Sequence, residues 1–279
     1  MTSVMYGVAP FLHHVGTGEM TMNATMDIRE QTVGDIAVEM PLAIRVFEAW
    51  KIDYCCGGRT PLPDAVAAAG KTIDEFMAAL DAQATVPDNA ARDWSFDTLT
   101  TMAADIVSTY HAYTREELLT LEPLAQKVFS VHGDRRPELT DVLSLICAVR
   151  DDMLPHMLKE EQILFPYVTQ MEDAVEGHRA APTPFFGTVK NPVRKMMEEH
   201  DRVGELLATL RSVTEEYTPP ESACFSYREL YRRLSELEQR THEHIHIENN
   251  LYFPRAIALE EQAGQPAAFV DACSSSCAH

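Results

Sequence analysis

The chemistry in this chain is concentrated in a repeated pattern of histidine and glutamate. His156 and Glu160 stand four residues apart, as do His244 and Glu248, and each pair is followed by Phe-Pro in the order H-x-x-x-E-x-x-x-x-F-P. On a helix, residues four apart share one face, with Cβ atoms about 5–6 Å apart. Such a pair can bind one ion, or its His can bind one ion while its Glu reaches across to another. The Phe is expected to pack and the Pro to end the helix. A lone histidine precedes each pair: His111 lies 45 positions before His156, and His200 lies 44 positions before His244.

The pattern therefore reads as two copies of one unit, related by a pseudo-two-fold axis. Together they offer four imidazoles and two carboxylates, the donor set of a dinuclear metal site with terminal nitrogens and two bridging glutamates. Imidazole suits iron, copper, nickel or zinc, and bridging carboxylates favour hard, redox-capable iron or manganese. No cysteine falls within these motifs, which argues against a cysteine-rich structural zinc site. A single HxxxE pair also arises as a surface ion pair, but two copies with the same ending and the same upstream His do not fit that explanation. His132 is expected near the open end of the site, as a further ligand or proton donor. His242 and His246, two residues either side of His244, face the other side of their helix and are expected in solvent or behind the ligands. His13, His14, His178 and His279 read as loop or tail residues.

Holding these side chains requires long helices, and alternating β-branched runs are scarce. The expected fold is all-α: an antiparallel four-helix bundle over residues 95–262, preceded by a small helical domain at 27–83 and a linker at 84–94. An N-terminal extension (1–26) and a C-terminal tail (263–279) flank them. Four helical segments are expected, at Phe96–Leu121, Glu138–Val175, Asn191–Tyr217 and Tyr227–Glu261, with ligands buried between facing helices. Pro155 should kink the second of them. In the small domain, Pro41 divides the pattern Val33–Trp50, Gly70 stops an alanine-rich helix, and Thr72-Ile73-Asp74-Glu75 caps another. That domain is too small for much core of its own and should dock on the bundle or on a second copy of the chain.

Composition narrows the functional classes. The formal net charge of -20 in 279 residues, without a dense Lys/Arg cluster, excludes direct nucleic-acid binding as the leading reading. No apolar run approaches the ~20 residues of a membrane span, and the N-terminus lacks the order of a secretion signal, so a cytoplasmic protein is expected. Six cysteines in a chain of this length do not make a disulfide framework. Cys147 reads as a small core residue, and Cys273 and Cys277 could hold or relay a metal within the serine-rich tail.

At these motifs the chain resembles the hemerythrin-like family, and more closely the di-iron proteins known as repair of iron centres proteins. The likeness spans residues 27–260 or so. It rests on Asp53-Tyr54-Cys55-Cys56-Gly57-Gly58 and on the stretches around Lys159-Glu160-Glu161 and Glu248-Asn249-Asn250. The resemblance implies two carboxylate-bridged iron ions, with His111, His156, His200 and His244 as terminal ligands and Glu160 and Glu248 as bridges. It implies repair of iron–sulfur clusters damaged by nitric oxide or oxidative stress, by supplying or exchanging iron. Damaged iron–sulfur proteins or cluster-assembly proteins would be the partners, and nitric oxide or oxygen the small ligands. Cys55 and Cys56 would serve redox chemistry or metal relay. The rival readings are a di-iron nitric oxide reductase forming nitrous oxide, and a non-enzymatic gas sensor.

Overall fold

The computed structural model describes residues 28–84, 94, 96–177 and 179–264. The expectations for the N-terminal extension, for Thr85–Asp93, for His178 and for the tail with Cys273, Cys277 and His279 lie outside the described residues. Among the described residues the regular elements are helical, apart from an isolated β-bridge between Thr32 and Pro61.

The N-terminal unit holds α1 (Val33–Glu39), α2 (Ala43–Trp50), α3 (Leu62–Ala68) and α4 (Ile73–Ala84). Helices α1 and α2 part at Pro41, since a proline cannot donate to the preceding turn. Thr32 and Asp35 form a capping box on α1. Thr72 and Glu75 form a second one at the start of α4, with Glu75 N–H donating to Thr72 Oγ1 at 3.2 Å and Thr72 N–H to Glu75 Oε2 at 2.8 Å.

Four long helices complete the chain. The first joins α5 (Leu99–Asp105), a π-helical stretch Ile106–His111 and α6 (Ala112–His132). The second joins α7 (Glu138–Lys159), a π turn Glu160–Leu164 and α8 (Phe165–Glu176). The third is α9 (Lys190–Val213), and the fourth joins α10 (Phe225–Ile247), a π turn Glu248–Tyr252 and α11 (Phe253–Ala263).

The helix boundaries depart from expectation at several points. The first helix does not stop at Leu121 but runs through Pro123 to His132, because Ala125 and Val128 continue the buried stripe while the proline ring faces solvent. The third ends at Val213, and the left-handed residues Glu215, Glu216 and Tyr217 turn the chain. Helix α7 passes through Pro155 unbroken; that ring too is exposed, on the side where water can serve the freed carbonyl. Pro166 and Pro254 do not end their helices. Each lies just beyond a π turn, where Phe165 N–H reaches back to Glu160 O and Phe253 N–H to Glu248 O. A widened turn moves carbonyls away from the proline ring, so the helix can continue.

The bundle core is two apolar clusters with a polar layer between them. One contains Leu118, Ile146, Met153, Val203 and Leu237; the other contains Ile106, Leu164, Val168, Met196 and Tyr252. Successive helices cross the layer in alternating directions, with His111, His156, His200 and His244 at the crossings. The N-terminal unit docks on the fourth helix: Ile245 belongs to its apolar cluster, and Asn250 Nδ2 donates to Tyr54 O at 2.9 Å.

The contact is close at two glycines. A Cβ on Gly34 would stand 2.8 Å from Asn250 Oδ1 and 2.9 Å from Gly58 O. Overpacking of this kind costs about 1–3 kcal/mol, against a helix-propensity gain of about 1 kcal/mol for Gly to Ala. Gly34→Ala is therefore expected to lower the thermal midpoint, as a melting curve would read.

Candidate metal centre

The repeat brings its six residues to one point. His111, His156, His200, His244, Glu160 and Glu248 are all essentially inaccessible to solvent. Their donor atoms fall into two sets, His111–Glu160–His244–Glu248 and His156–Glu160–His200–Glu248, with both glutamates shared. Each set takes one histidine from each sequence copy. The lone His111 joins the paired His244, and the paired His156 joins the lone His200.

Separations support coordination. His111 Nε2 and His244 Nε2 are 3.1 Å apart, and His156 Nε2 and His200 Nε2 are 2.9 Å apart. Glu248 Oε1 lies 3.0 Å from His244 Nε2 and Glu248 Oε2 lies 3.1 Å from His200 Nε2. Glu160 Oε2 lies 3.4 Å from His111 Nε2 and 3.3 Å from His156 Nε2. Ligands about 2.0–2.2 Å from a first-row divalent ion stand about 3 Å from one another. All four carboxylate oxygens are nevertheless buried without a properly directed hydrogen bond. These atoms converge on shared points rather than on one another, and the donor set fits a carboxylate-bridged di-iron centre.

The electrostatics agree. Burial works against protonating His111, yet Glu160 and Glu248 overcome it and hold its pKa up to about 10. His200 is held at about 9 against the same desolvation, chiefly by Glu248. Burial, helped by the neighbouring His111, pushes His244 below its usual value. Glu248 is driven well below the carboxylate range by His244, His111 and His200, although burial alone would raise it. This is a cavity that demands positive charge.

Residues beside these six side chains orient them, and sequence reasoning missed these. Each shared glutamate is followed by the acceptor for its own copy's lone histidine. Glu161 Oε1 meets His111 Nδ1 at 2.9 Å and is itself held by Arg115, while Asn249 Oδ1 meets His200 Nδ1 at 2.9 Å. The residue before each lone histidine supports the paired histidine of the other copy. Glu199 Oε2 lies 2.9 Å from His156 Nδ1, and Tyr110 stacks on His244 at 5.8 Å. His244 Nδ1 alone of the four has no hydrogen-bond partner among the described residues. The Phe of the repeat also has its place: Phe165 stacks on His111 at 5.8 Å and Phe253 on His200 at 6.0 Å. Such outer partners fix the tautomer and raise ligand basicity. Their signal was adjacency in sequence to the ligands.

Other expected residues lie elsewhere. His132 is not at the open end of the site: it ends α6, 21 residues and roughly 30 Å along the helix from His111. There its Nε2 lies 3.2 Å from Cys224 Sγ. His242 and His246 do stand outside the two donor sets, but they are not in solvent, because the N-terminal unit covers that face. His242 Nδ1 is 3.1 Å from Glu48 Oε1, and His246 is buried against Tyr54. Cys147 is only partly buried.

Cys55 and Cys56 come close to the centre without joining it. Their sulfurs are 3.9 Å apart, Cys55 buried and Cys56 partly exposed. Asp53 Oδ1 accepts from both backbone N–H groups, at 3.1 and 2.9 Å, so the three side chains form a separate group of metal-ligating type. The contact with Cys56, burial and the Asp53 carboxylate push the Cys55 thiol well up. The pair lines a cleft of about 280 Å³ between the N-terminal unit and the bundle, with Arg59, Met197, Asn249 and Phe253. Asn249 spans the gap: its Nδ2 donates to Cys55 O at 3.2 Å while its Oδ1 serves His200.

Comparison with known proteins shows the family. Residues 102–256 match the Hemerythrin HHE cation binding domain, and residues 29–84 match a Domain of Unknown function (DUF542). The chain is 37% identical over 236 residues to the iron-sulfur cluster repair protein YtfE of Yersinia pseudotuberculosis serotype O:1b, covering 84% of this chain and all of that protein. It is 36% identical, with the same coverage, to the protein of that name from Yersinia pestis (strain Pestoides F).

Asn249→Leu, which removes the acceptor from His200, is expected to weaken metal binding about 10- to 100-fold in a chelator competition. His132→Ala should leave metal content unchanged.

Proposed function

The chain belongs to the iron–sulfur cluster repair family built on the hemerythrin HHE cation binding domain, and from that premise we propose that it repairs damaged iron–sulfur clusters by supplying iron. The observation that carries this reading is the shared pair of buried carboxylates: Glu160 and Glu248 each belong to both donor sets. His111 and His244 would hold one ion, His156 and His200 the other, and the two glutamates would bridge them. Bound there, iron would supply a redox-active cation.

The protein's own residues supply the rest. Helices of the two apolar clusters exclude bulk water above and below the polar layer, which strengthens each charge interaction inside it. Glu161, Glu199 and Asn249 keep the Nε2 atoms of three histidines turned inward. Imidazole and carboxylate ligands bind protons in competition with metal, so acquisition of iron is coupled to proton release from these atoms and loss of iron to proton uptake at them. Cys55 and Cys56 are assigned to redox chemistry or to relay of the metal on the cleft side. What supports this is the hydrogen bond from Asn249 to Cys55 O and the nearby Asp53 carboxylate. Proteins carrying damaged clusters, or those that assemble clusters, are the partners this reading requires. Among the described residues no helix is long and apolar enough to cross a membrane.

Glu160→Leu and Glu248→Leu are expected to lower bound iron and cluster-repair activity together. The assay is rebuilding of a [4Fe–4S] protein damaged by nitric oxide, with iron per chain measured in parallel. Full repair by the iron-free double variant would reject iron supply. Nitrous oxide formed over many turnovers with a reductant, without cluster rebuilding, would favour reduction of nitric oxide instead.

A further inference from the structure

The two sequence copies differ at the position before the Phe of the repeat. Leu164 stands there in the first copy and Tyr252 in the second, and both are fully buried. An aliphatic side chain therefore satisfies the packing at this place, and the phenol of Tyr252 is an addition to it. Its hydroxyl has no hydrogen-bond partner among the described residues. A buried hydroxyl in that condition lowers stability, and in native proteins it calls for a partner.

Its surroundings say what kind of partner. The Tyr252 ring lies edge-on to Phe165 at 5.1 Å, and Phe165 in turn stacks on His111. Tyr252 is thus reached from the centre through one aromatic ring. Burial and the carboxylates of Glu160, Glu248 and Glu172 keep the phenol protonated, so it is available only as a neutral O–H. No hydroxyl among the described residues is hydrogen-bonded to the Glu160 or Glu248 carboxylates.

We propose that Tyr252 is the hydrogen-bond donor to a small exogenous ligand with exposed lone pairs, of the size of azide, bound at the centre on its Phe165 side. This rests on the reading of the six residues as a di-iron centre. The copy with leucine gives no such donor, so the two sides of the centre are chemically unequal although their ligands match.

The test uses the full chain, loaded with iron and metal-free, as wild type, Tyr252→Phe and Tyr252→Leu. Azide binding to the oxidised, iron-loaded proteins is followed by absorbance. Iron content is expected to be equal in all three, and azide affinity to fall about five- to tenfold in both variants, as loss of one hydrogen bond of this kind does. Metal-free Tyr252→Phe should melt at or above the wild-type temperature, since it loses an unpartnered hydroxyl. Equal azide affinities in equally loaded proteins would overturn the proposal alone. So would a metal-free Tyr252→Phe that melts well below wild type, because the hydroxyl would then have a partner within the protein. A wild-type chain that takes up no iron would overturn the reading of the centre itself, and this proposal with it.

Discussion

Two carboxylates in the middle of an apolar bundle constrain everything else in this structure. Glu160 and Glu248 are fully buried between two hydrophobic clusters. Ionised groups in such surroundings cost several kcal/mol each unless they meet positive charge and directed hydrogen bonds. The four imidazoles around them meet that demand through cations or protons, and the elevated His111 and His200 are the visible sign of it. The bundle supplies shape, and the charge balance at its centre decides whether that shape is worth keeping.

Three of the four long helices carry a π-helical stretch where they pass the centre, ending at His111 or beginning at Glu160 and Glu248. An added residue in a helical turn shifts the phase of every later side chain. That shift is how a histidine and a glutamate can face inward while the Phe after them turns back to stack on a ligand ring. It also explains why the Phe-Pro ending, read from sequence as a stop, is a continuation. Helix period alone gave no warning of a wider turn.

Much of the centre was legible because metal ligation demands particular side chains at fixed spacing, and duplication printed that demand twice. The all-α fold followed from long apolar periodicities and plain breaks near Gly133 and Pro219-Pro220. Contacts made across space could not be read. Nothing in the sequence paired His111 with His244 rather than with His156, and nothing placed His132 beside Cys224. His242 and His246 looked like solvent-facing residues because their covering surface comes from residues nearly two hundred positions earlier. Asn249 gave no hint that one amide would serve both a ligand and the Cys55 carbonyl.

The exchange of histidines between copies bears on ancestry. Each copy contributes two imidazoles and one carboxylate, yet neither donor set draws both of its imidazoles from one copy. A half-length forebear with a single copy could have completed such a centre only by joining a twin, as a two-fold symmetric pair. Fusion into one chain would free the halves to diverge under a shared obligation. The ligands stayed alike while the neighbours drifted: Glu161 against Asn249, Tyr110 against Glu199, Leu164 against Tyr252. Covalent linkage is what turns a symmetric vessel into one with two distinguishable sides.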